Sequence, residues 1–548
     1  MHNDADQAPY CALLACTLLA AVLLAWFGVF VRPLIELPAD LLMFSETAFV
    51  ENMIKLQSGL PLYTAPSDSN SIVYNPGAFL ATHAVAVVAG LTRSVPGLRA
   101  IQLGFCLLAA MIATACAREL RAYARPDEPA RHRATWVMFT LLAMMLVATA
   151  PDANRYTFAL HVDASALLVS MACFWSLVTY YRHGTRMTVV AMSVLPALAF
   201  SVKQSLVIWQ VLLVIGVLLK GRAHVRTAAV VAAAGSLCIG LVTAAWYAVW
   251  GDSYWFWAFT VLGGRSSVAL DAAAPSISIP RLIDHLLRIW PNVAIGLASV
   301  WVLTASGDGV RRLGPFAVIW GLLFLAEAYA SSSGWGALYH FGPGVLVSAV
   351  FLFASLPAVW YARPAVARDA AVISWARAGV LCSLVLAVFA VWNVVPSGDA
   401  NHPRYVKKYE RPADVYRYIR DIEREFEGLP ADKVLLGVGS WIYLREGVLQ
   451  KDRAVSLADQ PPAGTYTNFD VTTARLRQRT YDKLLLQNFH TPYFLYEWAT
   501  WPRESGFRAA VLEHYDEVGT IEPAQGSPYV ERDIQLADPV SVFVPKRR

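Results

Sequence analysis

Apolar runs of span length recur along the chain, most of them closed by arginine, lysine or glycine, and they stop near residue 396. A bilayer core about 30 Å thick needs roughly 20 apolar residues per helical crossing. That ruler predicts spans near residues 11–31, 98–117, 134–151, 163–181, 227–250, 286–305, 314–331, 342–360 and 376–395. The stretch "GAFLATHAVAVVAGL" (77–91) is shorter and is expected only to dip into the interface. The run from Thr188 to Leu219 is too long for one crossing, about 48 Å at 1.5 Å per residue, and it carries Lys203 and Gln204 in its middle. It is expected to fold back as two short spans with "SVKQS" at the tip. With that hairpin, the basic clusters 118–133, 182–186, 220–226, 311–312 and 363–377 all face one side, as the positive-inside bias requires; a single span would split them. The count is then eleven spans, with the N-terminus cytoplasmic and the C-terminus outside.

Beyond Pro396 the pattern changes. "ERPADVYRYIRDIEREFEG" places Val415, Tyr418, Ile419 and Ile422 at helical spacing and ends on Gly428, while "KVLLGVGSWIYL", "YDKLLLQNF" and "YFLYEW" are apolar runs of strand length. The predicted fold class is a polytopic α-helical membrane protein, residues 1–396, followed by an extracytoplasmic α/β domain, residues 397–548. The "GVGS" after the first of these runs reads as a turn; one glycine pair does not make a nucleotide loop.

Composition agrees with a membrane protein. The chain is 57% hydrophobic and 16% charged over 548 residues, with mean hydropathy +0.45, well above the apolar share of about 45–50% usual in soluble proteins. The net charge of +5 is modest, and nothing points to nucleic acid. All seven cysteines lie in or beside apolar segments, which argues against a disulfide framework. The first apolar run follows an acidic leader without Lys or Arg and lacks a small-x-small cleavage site, so it reads as a retained helix.

On this topology the uncommon polar groups collect on the outer side: Asp40, Glu46, Glu51, His83, His161, Asp163, Lys203, Gln204, Arg265, His285, Glu327, Tyr339 and His340. Ionisable groups near membrane depth are costly and usually line a site. The stretch "SETAFVENMIKLQSGLPLY" (45–63) reads as an interfacial amphipathic helix with Ser45 as N-cap, Glu46 in the first turn, and Gly59 and Pro61 as the stop. Glu51 and Lys55, spaced i, i+4, are expected to form a surface ion pair, whereas Glu46 serves either the helix dipole or chemistry.

That helix, its opening acidic residue, its "SGLPLY" close and the following "VYNPGAFLATHAV" resemble the first outer loop of the C-type (GT-C) glycosyltransferase superfamily, in particular protein mannosyltransferases and bacterial lipid A aminoarabinose transferases. "HVDASALLVS" and "KQSLV" are similar to family features too. Those enzymes carry Asp-Glu where this chain has Ser45-Glu46. The resemblance implies a membrane enzyme of a bacterial cytoplasmic membrane that moves a sugar from a polyprenyl-phosphate donor to a glycan, lipid or protein acceptor at the outer face. The base would be Glu46, or Asp40 reaching in from upstream. That chemistry needs a carboxylate to take the acceptor proton and cations to hold the departing phosphate.

Donor contacts expected on that basis are Lys203 and Gln204 at the hairpin tip, Arg265 in "LGGRSS", Tyr339 and His340 in "GWGALYHFGP", and Asp163. Each has a plainer reading beside it: snorkelling for Lys203, a solvated loop for Arg265, an interfacial aromatic belt for Tyr339 and His340, a helix cap for Asp163. No spacing forms a strong metal signature, and assistance by a divalent metal stays open. Two rival functions remain: a transporter or flippase of lipid-linked sugars, which would need ionisable residues or broken helices at mid-membrane in matching halves, and a noncatalytic envelope-assembly scaffold.

Overall fold

The computed structural model describes residues 32–41, 44–65, 71–124, 159–261, 279–304, 309–332, 341–361, 412–449, 470–487, 489–490, 506–522 and 539–547, with isolated positions before residue 32. The spans expected at 134–151 and 376–395, nearly all of 11–31, and the segment "YFLYEW" lie outside these residues.

The membrane part begins with α1 (Phe44–Gln57) and α2 (Gly77–Ala89). Then come α3 (Val95–Ala124), α4 (Asp163–His183), α5 (Arg186–Val202), α6 (Ile208–Leu219) and α7 (Val225–Trp255). The last three are α8 (Ile279–Thr304), α9 (Gly309–Ser332) and α10 (Gly342–Tyr361). Among the described residues, four helices are long and apolar enough to cross a membrane, at 95–124, 163–183, 222–261 and 311–331, and shorter apolar helices stand beside them. Several carry bare apolar side chains outward, such as Met187 on α5, Leu237 and Val249 on α7 and Leu287 on α8. A lipid bilayer is the solvent that suits such a surface.

The Thr188–Leu219 run folds back as its length and its central lysine predict. Lys203 breaks the helix with extended backbone (φ −152, ψ 127), a 3-10 turn of Gln204–Val207 follows, and α6 returns. Lys220 then donates its Nζ to the carbonyls of Tyr180 and Tyr181 at the C-terminus of α4. The same end gathers the other described basic clusters. Glu119 accepts from Arg118, Arg182 and His183, Arg121 reaches the Ala354 carbonyl, and Arg312 reaches that of Tyr123. The cluster at 363–377 is outside the described residues. Lys203, Asp163 and the first-loop carboxylates sit at the opposite end of the bundle, called here the site end.

Beyond residue 412 the chain forms an α/β unit. Its helices are α11 (Pro412–Arg424), α12 (Trp441–Glu446), α13 (Asp470–Arg477) and α14 (Phe507–His514). Its strands are β1 (Val434–Leu436), β2 (Lys483–Gln487), β3 (Tyr515–Ile521) and β4 (Val540–Pro545), in the order β1-β2-β4-β3. The first pair is parallel, with Val434 opposite Lys483 and Leu436 opposite Leu485; the other two are antiparallel. Leu435, Leu484 and Leu486 join α13 and α14 in one core, while Val434, Leu436 and Leu485 join α11, α12 and the membrane bundle in another. Apolar side chains on both faces explain why β1 and β2 read as unbroken apolar runs.

Two local expectations need correction. "SWIYL" is the start of a helix, not a strand, because the chain turns at Gly437–Ser440 and a carboxylate from far upstream takes up the N–H groups that open α12. Glu51 and Lys55 are not a surface pair: both are buried, as are Glu46 and Asn52, so α1 is covered on its polar side as well. The cover comes from the α/β unit, whose α12 packs on α1. The helix also begins at Phe44, which puts Ser45 inside it and not at its cap.

Candidate functional site

The first loop is tied down by an arginine. Arg99 sits in the first turns of α3, fully buried, where an isolated guanidinium would be prohibitively costly. Its donors are matched. Nε and Nη2 grip the two oxygens of Glu46 at 2.9 and 2.6 Å, while Nη1 and Nη2 reach the carbonyls of Leu37 and Ala39 at 2.5 and 2.6 Å. Glu46 Oε1 accepts a third bond, from the Leu160 N–H at 3.0 Å. The fork geometry of arginine is what permits this two-pronged match.

Asp40, equally buried, points the other way, into the α/β unit. Its carboxylate accepts from the Ser440 N–H (2.9 Å to Oδ1, 3.0 Å to Oδ2) and from the Trp441 N–H (3.0 Å). The Ser440 hydroxyl donates to Glu51, and Lys55 Nζ reaches the Leu62 carbonyl at 3.3 Å. Behind them, the Tyr63 hydroxyl donates to the Tyr74 carbonyl at 2.5 Å, and burial pushes its phenol well above the ordinary range.

A second cluster stands at the hairpin tip. Lys203 Nζ donates to Asp163 Oδ1 at 2.8 Å, and the His161 ring Nδ1 meets the other oxygen of the same carboxylate. All three side chains are buried. Asp163 opens α4, so it also lies at the positive end of that helix dipole. Gln204 Nε2 donates to the carbonyls of Val73 and Ala258 at 3.0 and 3.1 Å. Asn75 ties the loop to the hairpin through the Phe200 carbonyl at 2.6 Å and takes a bond from the Tyr254 hydroxyl at 3.0 Å. The segment after α7 folds over this end because Gly251 takes a conformation open to glycine (φ 57, ψ −141), and Trp257 Nε1 then reaches the Thr64 carbonyl at 2.8 Å.

Of the residues expected from sequence, Asp163, Lys203 and His161 come together; Glu46 touches the backbone next to His161; Asp40 and Glu51 meet at Ser440. His83 is half-buried on α2. Glu327 accepts from the Gly344 N–H at 2.9 Å, at the start of α10. Arg265, Tyr339 and His340 lie outside the described residues. Arg99, Asn75 and Ser440 were not anticipated; an arginine at the second position of the 98–117 span was the one available hint. Among the described residues no three His, Cys, Asp or Glu side chains gather as metal ligands.

No protein-family model matches the sequence, and no curated protein does. Solved structures do. ArnT from Cupriavidus metallidurans bound to undecaprenyl phosphate is 12% identical, with 96% of this chain and 97% of that one covered and a TM-score of 0.55. This chain has a GT-C-like fold. The apo form of the same ArnT gives 13% identity, 96% and 98% coverage and a TM-score of 0.51. The oligosaccharyltransferase of Archaeoglobus fulgidus tethered with an acceptor peptide is more distant, at 11% identity, 92% and 72% coverage and a TM-score of 0.47. Within this fold, the two clusters are joined through one backbone step, from Leu160, bound by Glu46, to His161, bound by Asp163.

Proposed function

We propose that this chain is an integral membrane glycosyltransferase that moves a sugar from a polyprenyl-phosphate donor to a glycan, lipid or protein acceptor at the face of the membrane bearing the site end. The carrying observation is the Lys203–Asp163 pair at the hairpin tip, on the same end as the first-loop carboxylates. The likeness to ArnT, a protein solved with undecaprenyl phosphate, supports it. In this reading the chain crosses a bacterial cytoplasmic membrane eleven times, residues 1–396 form the membrane domain, and residues 397–548 form the domain outside.

The chemistry is a displacement at the anomeric carbon. The acceptor hydroxyl forms the new glycosidic bond, the bond to phosphate breaks, the electron pair leaves with the polyprenyl phosphate, and a carboxylate takes the hydroxyl proton. Lys203 brings a positive charge to the hairpin tip, where a donor phosphate would arrive, and such a charge stabilises the departing phosphate; Asp163 aims the ammonium, and His161 and Gln204 border it. An apolar groove of about 610 Å³, lined by Leu108, Met111, Trp175, Val190 and Val194, runs along the bundle on the basic side of Lys203 and suits a polyprenyl chain. The proton goes to Glu46 or Asp40. Arg265, Tyr339 and His340 complete the donor contacts in this reading.

One observation favours the scaffold reading instead: both first-loop carboxylates are fully buried and engaged by N–H donors, as in a purely structural loop. The test is complementation. Cells lacking the chain should lose a residue from an envelope glycan, and wild type should restore it. Lys203→Ala, and at least one of Glu46→Gln and Asp40→Asn, should fail to do so at normal membrane abundance. Restoration by all three variants would leave the scaffold reading standing.

A further inference from the structure

The "GVGSW" turn between β1 and α12 is too poor in features for a nucleotide loop, yet Ser440 and Trp441 in it are engaged by carboxylates of the first loop. Ser440 offers its N–H to Asp40 and its hydroxyl to Glu51, and Trp441 offers its N–H to Asp40. Gly439 is required by the same contact: a Cβ there would lie 2.8 Å from Asp40 Oδ1 and 2.4 Å from the Trp441 ring. The carboxylates come from the loop that precedes α1 and from α1 itself, about 400 residues away in the chain.

We propose that this turn is a positioning element of the site, with Ser440 as its central residue: the α/β unit holds the first loop by Asp40 and Glu51 and thereby fixes Glu46. The proposal rests on the glycosyltransferase reading for its catalytic consequence, not for the contact itself. The path is continuous. From Ser440 and Trp441 it passes to Asp40, then to the adjoining Ala39 carbonyl held by Arg99, then to Glu46, which Arg99 grips and which binds the Leu160 N–H, and so to His161, Asp163 and Lys203. Every side chain on it is buried. A hydrogen bond to a charged group in such a setting is worth more than one at a surface. Loosening its far end therefore lets the carboxylate at the near end drift, and Glu46 is the group that a transfer reaction needs in register. The α/β unit is on this account part of the site, not an accessory domain tethered to it.

The experiment uses the full-length protein in detergent or nanodiscs, with Ser440→Ala, Ser440→Thr, Glu51→Met and the double variant Ser440→Ala/Glu51→Met. Hydrogen exchange over residues 36–57 should rise about tenfold in Ser440→Ala, the scale of one lost charged hydrogen bond, with α4 and the sheet unchanged. Threonine should restore it. In the Glu51→Met background, which leaves no oxygen to accept from the Ser440 hydroxyl, adding Ser440→Ala should change exchange by no more than about twofold, because the shared bond is already gone. Transfer should show kcat lowered about tenfold with the donor KM nearly unchanged, the mark of a misplaced group and not of lost binding. Wild-type exchange in Ser440→Ala, or additive effects in the double variant, would overturn the proposal. Wild type that transfers no sugar would instead overturn the glycosyltransferase reading, and the exchange data would still decide the contact.

Discussion

Arg99 and Glu46 form a two-pronged ion pair between α3 and α1 with neither side chain exposed to solvent. Removing one partner of a buried pair strands the other charge, at a cost of about 3–5 kcal/mol, whereas removing both with apolar residues is often nearly neutral. Arg99→Met should therefore lower the thermal stability of the purified protein sharply, and Arg99→Met/Glu46→Met should recover part of the loss, the remainder being the Leu37 and Ala39 carbonyls and the Leu160 N–H that lose their partners. Unfolding curves in detergent for the wild type, both single variants and the double check this. The double variant should also transfer no sugar if Glu46 is the base, which separates stability from chemistry.

Lys203 and Asp163 lead to a binding prediction. Polyprenyl phosphate should raise the wild-type unfolding temperature, because a ligand that binds only the folded state stabilises it. Lys203→Ala should abolish that rise. Asp163→Asn keeps the ammonium but leaves it unaimed, so it should retain a smaller rise and lose roughly tenfold or more in kcat/KM, about 1.4 kcal/mol of transition-state stabilisation. Equal ligand-induced shifts in Lys203→Ala and wild type would remove the phosphate role.

The bundle was legible because its cues are local. Span length, the lysine at residue 203 and the recurrence of arginine at one parity are all properties of short windows, and they gave the hairpin correctly. The helix over 412–424 was likewise written in the spacing of Val415, Tyr418, Ile419 and Ile422, all buried. Neighbours distant in sequence were not legible. Nothing near Arg99 names Glu46 as its partner, and nothing near Ser440 names Asp40. Glu51 and Lys55 looked like a surface pair because the segment covering them lies at the other end of the chain. β3 was missed for a different reason: "YDEVGTI" is an edge strand with exposed interior positions and a bulge between Glu517 and Gly519, so it shows no apolar alternation.

Tyr515 opens β3, and its ring is 2% exposed. Burial pushes its phenol up from 10.0 to about 12. A raised folded-state value means that the folded protein holds the proton more tightly. The contribution to stability is therefore whole below pH 10 and is lost as pH rises through about 12. Tyr515→Phe cannot ionise, so its α/β unit should decline less steeply across that window. Chemical unfolding of the full-length protein from pH 9 to about 12, followed by fluorescence, measures the difference; parallel curves for the two proteins would reject it.

The arrangement of charge predicts sidedness. The basic groups gathered around Glu119 and Tyr180 should face the cytoplasm, because translocating them is disfavoured, and the α/β unit should then be outside with Lys203. Two exposed positions report on this: Arg222, in the turn before α7, and Val518, on β3. In a background with the native cysteines replaced, Val518→Cys should react with an impermeant maleimide on intact spheroplasts, while Arg222→Cys should react only after the membrane is opened. Labelling of both from the same side would require an uneven number of crossings between them to be wrong, and with it the placement of the hairpin tip, the first-loop carboxylates and the α/β unit in one compartment.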